Sequence, residues 1–185
     1  RVKVIQSPGL MSEPTRKTPM EPVITNASYL LSAVKVTIRT GSDNKESLSN
    51  VSIELGVRNA SYGIFSQNSV TNELKSNSTA NIGLEVSDNY ISESNPNMIP
   101  VSYYTSPAGS YTIKMSDVEQ YGLGLRIIYK PNFFADAWKI ETVSLTLEFR
   151  DVKGNLHPSS GQKTINFSNA STFLDNFDKR ILICT

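Results

Sequence analysis

Apolar residues recur at every second position in stretch after stretch of this chain, and that period of two restricts it to β-structure more than any other feature does. In "VKVTIRT" Val34, Val36 and Ile38 alternate with Lys35, Thr37 and Arg39. Successive side chains of a strand point to opposite faces, so such a run buries one face and wets the other. "NVSIELGV" repeats the pattern with Val51, Ile53, Leu55 and Val57, "LGLRIIY" with Leu123, Leu125, Ile127 and Tyr129, and "ETVSLTLEF" with Val143, Leu145, Leu147 and Phe149. Shorter versions stand in "NIGLEV", "SYTIKM", "KTINF" and "RILIC". The polar loop "GSDNKES" between the first two runs makes them a hairpin or a crossing between sheets. Many short strands with turn signals between them predict an all-β fold, an antiparallel β-sandwich of jelly-roll type. Its inner face is expected to include Val34, Val36, Ile38, Leu125, Ile127, Val143, Leu145 and Leu147.

Helix is confined to one or two short turns. "SDVEQYGL" offers Ser116 as N-cap, Glu119 to complete a capping box and Gly122 as terminator. "SNASTFLDNF" reads as a further helical turn, and "RDVKGNL" as a β-turn through Gly154 and Asn155.

The first 24 residues read differently from the rest. Pro8, Pro14, Pro19 and Pro22 forbid a helix and discourage a central strand, so residues 1–24 form an extended Pro-rich arm ahead of a single sandwich domain over 25–185. Within the arm "RVKVI" is a candidate partner-binding strand through Val2, Val4 and Ile5, added to a sheet edge of this domain or of another chain. At 185 residues the chain is long enough for one substantial core.

Composition narrows the function. Charged residues make up 19% in near balance at a formal +1, which gives neither a nucleic-acid footprint nor an acidic tail. Ser, Asn and Thr supply the polarity instead, a bias that suits solvated antiparallel strands and is frequent in exported bacterial β-proteins. The expected location is therefore secreted, periplasmic or at the cell surface. The chain starts at Arg1 with no signal peptide in view, so it is either processed or a fragment. No apolar run approaches the length of a transmembrane helix. The single cysteine, Cys184, leaves no intrachain disulfide and reads as a small hydrophobe closing the last strand.

Two segments stand in a familiar relation. "VKVTIRTGSDN" over 34–44 and the strand pair over 123–149, where Trp138, Ile140, Val143 and Leu145 follow a W-x-[IL]-x-x-V-x-[VL] pattern, resemble the PLAT (lipoxygenase homology) β-sandwich. The resemblance implies an eight-stranded sandwich that acts as a recruitment module, binding a membrane, a partner protein or calcium through end loops without chemistry of its own. Calcium wants several hard oxygen donors converging from loops, and Asp43, Asn44, Glu46 and Asp136 are the candidate set. The same residues also suit ordinary solvated turns, and Lys45 among them opposes a cation.

"NFFADAW" poses the sharpest question. Trp138 before an alternating strand fits a core plug, since a buried aromatic removes about 150–250 Å² from water. The alternative is a contact on sugar or lipid made by Phe133, Phe134 and Trp138 together. In an extended conformation Phe133 and Phe134 point to opposite sides, so one is buried and the other offered to a partner.

No enzyme signature emerges. The lone histidine, His157, precedes Pro158, Cys184 lies in a strand, and there is no P-loop, dinucleotide fingerprint or H-E-x-x-H. Six N-x-S/T triplets begin at Asn26, Asn50, Asn59, Asn77, Asn166 and Asn169; Asn50 precedes an expected strand and Asn166 lies within one. Two functions result: a structural or interaction subunit docked on a larger cell-surface assembly through the arm, and a carbohydrate- or lipid-binding module, with or without calcium, using residues 132–138.

Overall fold

The computed structural model describes residues 25–60, 64–87, 104–105 and 111–185. After a single 3-10 turn at Asn26–Ser28 the strands run β1 (Leu30–Thr40), β2 (Asn50–Val57), β3 (Phe65–Val70), β4 (Thr79–Val86), β5 (Tyr104–Thr105) and β6 (Tyr111–Thr112). Helix α1 (Met115–Tyr121) follows, then β7 (Leu123–Lys130), β8 (Ala137–Arg150), β9 (Gln162–Phe167), β10 (Thr172–Asp175) and β11 (Ile181–Cys184). All pairings are antiparallel.

One layer runs β4–β1–β8, with β9 and β10 sharing the outer edge of β8. The other runs β3–β2–β7–β11. Strand β4 stitches them together. It lies along β1 from Arg39↔Thr79 to Val34↔Leu84, then meets β3 at Phe65↔Val86 and Ser66↔Glu85. At the opposite margin β10 approaches β11, which leaves the sheet nearly closed. Chain crossings between layers follow, and the β1–β2 connection is one of them.

The eight residues expected on the inner face are all buried, whereas Lys35 and Arg39 are exposed on the outer face. Outer positions pair across strands instead: Glu54 stands opposite Arg126 and the two form an ion pair at 2.6 Å. The core draws on every principal strand and is continuous, including Tyr129, Trp138, Phe149 and Leu174. Cys184 is fully buried, and burial pushes its thiol up to about 12.

Two local expectations need correction. The capping box does not form: α1 begins at Met115 with Lys114 as N-cap and no side-chain cap. Lys114 is held by a bridge to Leu30, and Met115 N donates to Tyr29 O at 2.9 Å, so pairing with β1 sets the start of the helix. Glu119 instead accepts a hydrogen bond from Asn26 Nδ2. Gly122 does terminate the helix, at φ 82°. The second correction concerns "SNASTFLDNF", which forms β10 because Leu174 fills the core opposite Trp138. Strand β3, whose polar "SQNS" carries no alternation, was not among the strands expected. It is recruited because Ile64 and Phe65 bury at its start. The arm over 1–24, with Val2, Val4 and Ile5, lies outside the described residues.

Candidate functional site

Four connections meet at one end of the sandwich: 41–49, 71–78, 131–136 and 176–180. Their proximity follows from register. Thr40 pairs with Ile140, Asn50 with Lys130, and Asp175 with Ala137, while Tyr129 N donates to Arg180 O at 2.8 Å.

The 131–136 connection is a turn and not an extended run, closed by Asp136 N donating to Phe133 O at 3.2 Å. That geometry overturns the expectation that one of its phenylalanines is buried. Phe133 and Phe134 are 60% and 65% exposed. Phe177, from the 176–180 connection, is 62% exposed, and its ring meets that of Phe134 edge-on at 4.6 Å. Its turn is pinned by Asp175, whose Oδ1 accepts from the amides of Phe177 at 2.8 Å and Asp178 at 2.7 Å. Those amides hold the Asp175 carboxyl below its ordinary range. The result is an exposed cluster of three rings on two braced turns. Lys130 at the end of β7, and Lys179 and Arg180 on the 176–180 connection, are exposed, against the exposed carboxylate of Asp178.

Trp138 takes no part in this surface. It is fully buried, tilted against Tyr129 at 5.9 Å between ring centroids, and its Nε1 donates to Thr40 Oγ1 at 3.2 Å. Burial therefore removes Trp138 from the expected aromatic contact set and leaves the core plug.

Beneath the rings lies a polar corner. Lys45 is fully buried, and its Nζ donates to Glu46 O and Asn72 O, both at 2.8 Å. Burial lowers its pKa, and the nearby charge of Asp136 raises it in part. Asp136 is 6% exposed and its Oδ2 lacks a hydrogen bond among the described residues. The Tyr129 hydroxyl lies beside Asp136 and Ser49 without a hydrogen bond of full geometry, and burial followed by the Asp136 carboxylate holds its pKa above the ordinary range.

The expected calcium donors, Asp43, Asn44, Glu46 and Asp136, belong to two of the connections at this end. Asp43 contributes its backbone carbonyl to Lys139 N at 3.0 Å, Asn44 donates to Glu73, and Glu46 is exposed. Among the described residues no three His, Cys, Asp or Glu side chains are grouped as a metal centre requires. The positive charge in this corner is the ammonium of Lys45.

His157 is built into its loop. Its Nδ1 accepts from the amides of Ser159 at 3.2 Å and Ser160 at 3.0 Å, its Nε2 meets Asn26 Oδ1 at 3.0 Å, and its ring packs edge-on against Tyr29 at 4.5 Å. With Nδ1 accepting, Nε2 carries the proton donated to Asn26.

Phe177 and Lys45 are the site residues that sequence reasoning missed. Phe177 lay in a segment read as helical, and the one signal for Lys45 was its place in the loop beside the acidic residues. Comparison with family models, with curated proteins and with solved structures finds no match.

Proposed function

We propose that the domain is a non-enzymatic recognition module of an exported, cell-surface protein, and that its apolar end engages an anionic lipid surface. The observation that carries this reading is the exposure of Phe133, Phe134 and Phe177 together on two braced turns. A folded domain gains nothing by leaving three clustered rings in water unless something covers them. The rings favour lipid over carbohydrate, because Phe134 and Phe177 cross at 80° and give no flat platform for a sugar face. Lys130, Lys179 and Arg180 add attraction to anionic headgroups. The similarity of residues 34–44 and 123–149 to PLAT modules, which bind through end loops, supports the same reading.

Co-sedimentation with vesicles of phosphatidylserine and phosphatidylcholine tests it. Binding that falls at least about 10-fold in Phe133→Ser/Phe134→Ser and weakens with salt supports the reading. Binding unchanged by those substitutions overturns it.

A second reading, a subunit docked on an assembly by strand addition, has its own observation. Among the described residues β3 and β4 pair through two positions and then splay, leaving a cleft of about 290 Å³ between Gln67, Val70, Asn81 and Ile82. Unpaired strand edges are where an extended segment such as "RVKVI" adds.

A further inference from the structure

At the other end of β7 a second cleft opens, of about 330 Å³, where the edge of β9 that is unpaired among the described residues faces the corner between α1 and β7. Its apolar lining comes from Val118, Leu123 and Phe167, all buried, and from the half-buried Ile165. Two cations line the same cleft, Arg58 and Lys163, and no acidic side chain does. Neither cation has a salt bridge or side-chain hydrogen bond among the described residues.

Both cations stand where local rules do not call for them. In β9 the residues Lys163, Ile165 and Phe167 lie opposite Leu147, Leu145 and Val143, which are buried on the inner face. Directly opposed residues of an antiparallel pair project to the same side. Lys163 therefore occupies a core-facing position in the alternation, yet it is exposed because the start of β9 overhangs the cleft. Arg58 is positioned from the other wall. Its amide donates to Gly122 O at 2.9 Å, and its guanidinium lies across Gly122 so closely that a Cβ there would stand 3.0–3.2 Å from its Nη2, Cζ and Nε. Gly122 also adopts a φ of 82°, a conformation that favours glycine.

An apolar floor flanked by two exposed cations that have no protein counter-charge among the described residues suits a ligand of opposite charge and apolar body. We propose that this cleft binds a small anionic amphiphile. Its carboxylate or sulfonate head lies between Arg58 and Lys163, and its short apolar body lies on Val118, Leu123, Ile165 and Phe167. The volume is at the small end for ligand pockets, which points to a chain of modest length. The inference is independent of the aromatic end, which lies across the domain.

Fluorescence titration with 8-anilinonaphthalene-1-sulfonate, followed by displacement with octanoate or with 1-octanol, tests the proposal on the full chain. The expected result is saturable one-site binding that octanoate displaces and 1-octanol does not. Arg58→Gln/Lys163→Gln should weaken it roughly 10-fold or more, since charge-assisted bonds are lost, while Phe133→Ser/Phe134→Ser leaves it unchanged. The single variant Lys163→Gln, at an exposed position, should show part of the loss with an unaltered melting curve. Affinity in the double variant within about 2-fold of the parent overturns the proposal, as does equal displacement by 1-octanol. In that event Lys163 is an inward-pointing charge that protects a sheet edge from pairing. Binding that follows the phenylalanines instead of the cations also overturns it, and assigns the probe to the aromatic end.

Discussion

Trp138 and Thr40 satisfy one another in the core: the indole Nε1 donates to the threonine Oγ1 at 3.2 Å, and the two residues are 0% and 1% exposed. The bond ties β8 to the end of β1 directly beneath the turn that carries Phe133 and Phe134. Thr40→Val leaves the indole N–H buried without a partner and should cost about 1–3 kcal/mol. Trp138→Phe orphans the hydroxyl and also removes volume. In urea denaturation the double variant should cost less than the two single losses combined by about 1 kcal/mol, the worth of the bond itself. Strict additivity would show that the two groups do not depend on each other.

Lys45 lies in the same end and supports the loops rather than the surface. Its two carbonyl bonds join residue 46 to residue 72, and thus the 41–49 connection to the 71–78 connection. Lys45→Met should destabilise the domain by about 1–3 kcal/mol by leaving both carbonyls without this donor. It also strips the Asp136 carboxylate of the positive charge near it. Adding Asp136→Asn to Lys45→Met should therefore recover part of the loss in a chemical melt. A further loss on adding Asp136→Asn would show that the carboxylate is satisfied by some other group.

These two residues mark where sequence reasoning reached and where it stopped. β1, β2, β7 and β8 were legible because each buries one face and wets the other, so alternation records their orientation directly. Trp138 was legible as a plug for the same reason. β3 was not, because "SQNS" sits where the sheets splay and no inner face needs filling. β10 was hidden by Ser, Asn and Asp, whose turn chemistry dominates the segment until Leu174 is seen against Trp138. Phe133 and Phe134 were found as candidates but misplaced, since the argument for opposite sides assumes an extended backbone and Asp136 closes a turn. Lys45 had as its one signal a place beside acidic residues, too weak to use: a lysine in a polar loop is ordinarily solvated, and the carbonyls of residues 46 and 72, with Asp136 nearby, make its burial tolerable.

Cys184 predicts an alkaline loss of stability. Burial raises its folded-state pKa from 9.0 to about 12, whereas the unfolded thiol keeps the ordinary value. Between those limits the unfolded chain binds fewer protons than the native one, so stability falls as pH rises. The contribution is complete below pH 9 and is lost on approach to pH 12, at up to about 1.4 kcal/mol per pH unit. Cys184→Ala lacks this titration. The stability difference between parent and variant should therefore shrink steadily above pH 9 in urea melts, and a difference that stays constant to pH 11 would contradict the assignment.

The arm separates the two functional readings most cleanly. β1 is already paired on both sides, by β4 and β8, so "RVKVI" cannot be its missing neighbour. Among the described residues the edges open to an added strand are those of β3 and β4 where they splay, and the outer edges of β9, β10 and β11. If that edge belongs to another chain, the domain's own core is indifferent to residues 1–6. Their deletion should then move the melting temperature by less than about 2 °C, which for a chain this size corresponds to less than about 1 kcal/mol. It should also abolish any assembly that the full chain forms on size exclusion, because strand addition supplies backbone hydrogen bonds that no side chain replaces. A truncated chain that melts well below the intact one while keeping its association state would place the strand on this domain's own sheet. In that case the aromatic end, with its exposed Phe133, Phe134 and Phe177, is left as the surface through which the molecule meets its partner.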